Sequence, residues 1–151
     1  MTAEAKLRAL ASIDATLQGF FGSNPFRWFH LQLPPSAKPG TGTPYPCTAR
    51  VRQISQVPFY TQEGQNRLNV VVLQIDVLAS DIDTVDQATD AISTWIGTVN
   101  LASNDQFQSP PVTPLQFPSF VLNVRPGLEV QLKPPIPVNS IDVRVFNLDL
   151  I

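Results

Sequence analysis

The chain of 151 residues has the length of one domain, and at 16.6 kDa it can bury about two thirds of its extended surface, enough for a core without disulfide or metal staples. Charged residues are 15 % of it, 10 basic against 12 acidic, which excludes a polybasic nucleic-acid binder or membrane-surface protein. One cysteine, Cys47, and one histidine, His30, leave no intrachain disulfide, no cysteine-based zinc site and no two-histidine metal site within a chain.

Residues 3–21 read as one amphipathic helix, with Leu7, Leu10, Ile13, Leu17, Phe20 and Phe21 forming an apolar stripe. Charges inside that pattern separate it from a signal peptide, and no apolar run approaches the roughly 18 residues of a membrane span. The expectation is a soluble protein that folds in a reducing cytoplasm. Gly22 and Asn24-Pro25 stop the helix, and Phe26 to Leu31 reads as a short aromatic strand. Residues 34–46 are a proline-, glycine- and threonine-rich loop.

Residues 45–55 alternate. Tyr45, Cys47, Ala49 and Val51 face one way, Thr48, Arg50 and Arg52 the other. A second strand over 67–79 puts Val71, Leu73, Ile75, Val77 and Ala79 on one face, and Glu63-Gly64-Gln65-Asn66 is a turn signal between the two. The spacing predicts a long antiparallel hairpin over 47–79 with an irregularity near Pro58. Residues 84–99 form a helix with the stripe Val85, Ala88, Ile92, Trp95, Ile96 and Val99, opened by a Thr84/Gln87 capping box. Trp95 and Ile96 are expected to pack on the sheet face that carries Val71 to Val77. Residues 101–119 are a second proline-rich loop, followed by strands near 120–124, 128–133 and 140–148. The fold class is α+β: a single domain over 1–151, an antiparallel sheet with a long hairpin, and two main helices on one face.

The chemistry is sparse. Asp81, Asp83, Asp86 and Asp90 do not make a calcium loop, because Asp86 and Ile92 stand where glycine and glutamate are needed; they read as a cap and a solvated face. His30 has no nucleophile or orienting acid in a motif around it and reads as a partly buried structural histidine. Cys47 reads as a small buried hydrophobe. Phe26, Trp28 and Phe29 read as core. There is no phosphate-binding glycine loop or nucleophile elbow. Arg50 and Arg52 share one strand face, as solubilising groups or as contacts for an acidic partner. No catalytic residue, metal or cofactor is expected.

In order, the Leu7–Leu10–Leu17 helix, the Leu33-Pro34-Pro35 loop and the strand Pro46-Cys47-Thr48-Ala49-Arg50-Val51 come first. The return strand Leu68–Ala79 then precedes the helix of Thr84 to Val99, and Ser140–Leu148 closes the order. This succession resembles the tail terminator, or tail-completion, proteins of long-tailed bacteriophages. The resemblance implies a virion structural protein, assembled in the host cytoplasm. It would form a ring, most simply a hexamer, on the head-proximal end of the tail tube. Its partners would be copies of itself, the tail tube protein and the head completion protein. DNA would pass through the lumen without specific binding, which the near-neutral charge suits. Within that reading the hairpin tip supplies contacts: Phe59 and Tyr60 as aromatic anchors, Glu63 and Arg67 at a polar rim or along the lumen. Alternatives are another phage neck or minor tail component, a small peptide- or ligand-binding α+β module, and a hydrolase using His30.

Overall fold

A computed structural model describes residues 2–23, 25–32, 45–61, 64–99, 101, 119–129 and 135–148; for 58–61, 64–68 and 148 it describes the backbone alone. Three helices lie against one face of a five-stranded sheet. The elements in chain order are α1 (Ala3–Ala11), α2 (Ala15–Phe21), β1 (Trp28–His30), β2 (Cys47–Thr61), β3 (Gly64–Ala79), α3 (Ile82–Ile96), β4 (Phe120–Glu129) and β5 (Ile136–Leu148). This is the expected α+β class. Both proline-rich stretches, 34–46 and 101–119, lie largely outside the described residues.

The expected single helix over 3–21 is two helices. Thr2 caps α1 through Oγ1, which accepts from the Ala5 N–H at 3.1 Å. The break falls at Ser12-Ile13-Asp14, where Asp14 takes an extended backbone and caps α2 by accepting from the Leu17 N–H at 3.0 Å. The turn swings Ile13 out of the stripe, and it is 66 % exposed, while Leu7, Leu17 and Phe21 stay fully buried. Gly22 ends α2 at φ +89°, and an added Cβ there would meet the Tyr45 ring at 3.0 Å and the Pro25 carbonyl at 3.1 Å.

The sheet order is β1-β2-β3-β5-β4. β2 and β3 pair antiparallel from Cys47↔Ala79 to Thr61↔Gly64, with register shifts at Gln53/Ser55 and Pro58/Tyr60, the latter at the predicted irregularity. β5 pairs antiparallel with β3 and β4. The expectation of a wholly antiparallel sheet is corrected at β1, which pairs parallel to β2 with Trp28 opposite Ala49, so the sheet is mixed. The stretch expected at 120–124 and the start of that expected at 128–133 are one strand, β4, which runs through Pro126-Gly127 to Glu129; 130–133 lie outside the described residues. As an edge strand β4 tolerates a residue without an N–H. β5 starts earlier than expected, through Pro137, which lies beyond the last β3 partner Val138.

Alternation builds the core. Ala49, Val51, Val71, Leu73, Ile75, Val77, Ile141, Val143 and Val145 face the helices and are fully buried. α3 lays Val85, Ala88, Ile92 and Ile96 on them. Its cap is Asp81 rather than Thr84: the Asp81 carboxylate accepts from the Thr84 N–H at 2.8 Å and from its hydroxyl. Asn139 on β5 then latches the helix, donating to Asp86 and to the Thr89 hydroxyl, each at 3.0 Å. Ile96 sits in this core as expected. Trp95 lies half-buried against the edge of the same core, its ring 5.9 Å from that of Trp28 on β1 at 89°. Trp28 is buried and packs edge-on against Phe21, with Phe26 beside it, whereas Phe29 is half-buried.

Candidate interaction surface

The sheet face away from the helices is largely polar. Arg50, on β2, stands opposite Asp76 on β3, and Asp76 stands opposite Ser140 on β5. Asp76 is 1 % exposed and accepts three hydrogen bonds: from Arg50 Nε at 2.7 Å, Gln74 Nε2 at 2.7 Å and Ser140 Oγ at 2.7 Å. Burial pushes its carboxyl up, but the donors from Gln74, Arg50 and Ser140 and the Arg50 charge outweigh that and hold it below its ordinary value. Arg50 Nη2 also donates to Glu129 Oε2 at 2.8 Å. Burial disfavours the guanidinium charge, yet the two carboxylates hold it more firmly protonated than usual. Arg50 is therefore the hub of a structural network and not a free surface group. At the same face Leu78, Ile136 and Val138 form a small second apolar cluster.

Arg52 is different. It points from the same face of β2, is exposed, and has no hydrogen bond or ion pair among the described residues. Beyond it the whole of 52–57 is exposed, including Ile54 at 53 % and Val57 at 56 %. On the edge strand β4, Leu122, Val124 and Leu128 are also exposed. Arg144 covers part of that region, with its guanidinium 5.4 Å from the Phe120 ring centre and 5.5 Å from that of Phe146. The backbones of Phe59, Tyr60 and Arg67 lie in β2 and β3, while their side chains, and Glu63 entirely, fall outside the described residues.

The helix layer has its own hollow. Where the α1–α2 break meets the C-terminal half of α3, two adjoining depressions of about 300 and 440 Å³ share Asp14, Trp95 and Thr98. Thr16, Asp90, Ala91 and Thr94 complete the larger one, and the exposed Ile13 helps line the smaller. Sequence reading missed this groove because it is made by the unforeseen break at 12–14.

His30, expected to be partly buried, is the more exposed partner of an ion-pair contact: its side chain is 53 % exposed, with Nδ1 3.0 Å from the buried Glu4 carboxylate, which also holds Arg8. Cys47 is fully buried, as expected. Burial, with a smaller contribution from the Asp81 charge, pushes its thiol up to about 12. Among the described residues no group of three or more His, Cys, Asp or Glu side chains is placed to hold a metal ion, and no helix is long and apolar enough to cross a membrane. No protein-family model matches this chain, and no curated protein matches it in sequence.

Proposed function

We propose that this protein is a structural subunit of a bacteriophage tail, a tail-terminator-like protein that forms a ring on the head-proximal end of the tail tube and joins tail to head. The observation that carries the reading is the coexistence of two unlike exposed surfaces on a small, well-packed body: the stretch 52–57 of β2 with Arg52, Ile54 and Val57, and the groove and acidic flank of the helix layer. Two different patches that fit each other make a head-to-tail contact, and head-to-tail contacts close into a ring when the rotation between copies closes. The order of elements noted in the sequence supports the same reading. So does the net charge of −2, which suits a lumen through which DNA must slide.

The test is assembly. Mass photometry of the purified protein, alone and mixed with its tail tube protein, is expected to give a ring-sized particle or tubes capped at one end. A protein that stays monomeric in both conditions and leaves tube length unchanged overturns the reading in favour of a peptide- or ligand-binding module.

A further inference from the structure

Strand addition at the sheet edges is an inefficient way for copies of this chain to meet. β1 offers three residues, and β4 is interrupted by Pro126 and by a register shift between Val121 and Asn123. A contact between copies is better built from faces, and the charged groups say which. Of the arginines whose side chains are described, Arg8, Arg50 and Arg125 hold carboxylates. Arg144 lies over two rings, and Arg27 is buried and partnered. Arg52 has none of these, and it stands beside the exposed Ile54 and Val57.

The groove on the helix layer is the counterpart. Its wall is the half-buried indole of Trp95. Asp90 is exposed and unpaired among the described residues, and Asp14 has Oδ2 on the Leu17 N–H, which leaves its other oxygen for a further donor. An indole and two carboxylates lining one depression suit a guanidinium, which can pack on the ring and donate in a fork to oxygen acceptors. The exposed Ile13 beside it offers apolar surface to Ile54 or Val57. Arg52 and the groove lie on opposite sides of the molecule, one on the sheet face away from the helices and one on the helices themselves. A single chain therefore cannot join them.

We propose that the exposed stretch 52–57 of β2 of one copy docks into the Trp95 groove of the next, with Arg52 seated between Asp14 and Asp90. This rests on the ring reading above and names its subunit contact. It is heterologous, so every copy both gives an arginine and receives one.

The experiment is a charge swap in the full chain, read by sedimentation velocity with and without tail tube protein. Arg52→Glu and Asp90→Arg should each weaken assembly by about tenfold or more, and the double variant should recover most of the loss. Circular dichroism melts check that each variant is folded; both positions are exposed, so they should match the wild type. As an independent readout, a bismaleimide cross-linker should join subunits of a chain carrying Arg52→Cys and Asp90→Cys into a ladder of oligomers, because Cys47 is buried. Wild-type rings that persist unchanged in both single variants overturn this contact and leave the ring reading standing. Loss in the single variants without recovery in the double, or no ladder, also overturns the contact. A wild type that never assembles, alone or on tubes, overturns both.

Discussion

Arg50 and Glu129 lie on strands that do not pair, yet Arg50 Nη2 donates to Glu129 Oε2 at 2.8 Å. β3 and β5 separate them, a span of roughly 14 Å in a flat sheet at ordinary strand spacing. The two long side chains reach across the intervening strands on the face away from the helices and tie the far end of β4 to the centre of the sheet. Glu129→Ala should cost about 1–3 kcal/mol in denaturant unfolding and raise amide exchange at Leu128 and Glu129 well before the rest of the sheet. Unchanged exchange there would mean that backbone pairing alone holds that end of β4.

Asp76 predicts the acid response. Its carboxyl is held below the ordinary value of 3.8, so the unfolded chain takes up a proton before the folded one does. Its contribution is present above 3.8 and is lost as pH falls through the lower folded value. Asp76→Asn should lower stability at pH 7 by about 3 kcal/mol and flatten the loss on acidification, both read from urea midpoints as a function of pH. A variant whose acid limb parallels the wild type would assign that limb to other carboxylates.

Cys47 should be silent in the folded protein. A thiol with a pKa near 12 and no exposure holds almost no accessible thiolate at pH 8. Ellman's reagent should label it only after unfolding in urea, as a single event per chain. Rapid labelling of the native protein would show that the β2–β3 end opens locally.

Gly22→Ala should cost about 1–3 kcal/mol, since φ +89° is strained for alanine and the new methyl meets both the Tyr45 ring and the Pro25 carbonyl. A thermal melt decides it. A neutral result would require Tyr45 to swing away.

On α3, Ile92→Ala should destabilise by about 2–5 kcal/mol as a fully buried side chain, and Trp95→Ala by less, about 1–3 kcal/mol, because its ring is half-buried. Paired denaturation curves compare them. A larger loss at Trp95 would make the Trp28–Trp95 contact the main anchor of the helix.

Local pattern made α3 and the core face of β3 legible, since each carries its full period within one element. The break at Ser12–Asp14 was less visible because Leu10, Ile13 and Leu17 continue a helical spacing through it. The informative signal was Asp14 itself, a capping residue type placed just before Leu17. The parallel seat of β1 could not be read from three residues whose partner lies some twenty positions on. Pro126-Gly127 read as a break because sequence does not say that a strand will be an edge. The partner of Arg50 was half legible: Gln74 and Asp76 stand on the polar side of an otherwise apolar strand, which marks them for one another or for a cation. Glu129 was beyond reach, because the contact depends on a strand order that sequence does not show.

Lys6, buried on α1, donates from Nζ to Asn147 of β5 at 2.7 Å, across 141 positions of sequence. β5 also lies in the sheet between β3 and β4, so an interior position of the sheet is filled late. During synthesis, α1 through α3 emerge from the ribosome long before the strand that completes their floor. The helices then have only part of an apolar bed, and distant contacts of this kind slow the search for the native state. Folding should accordingly be a single late event triggered by the last strand, and nascent chains cut before residue 136 should stay open to protease.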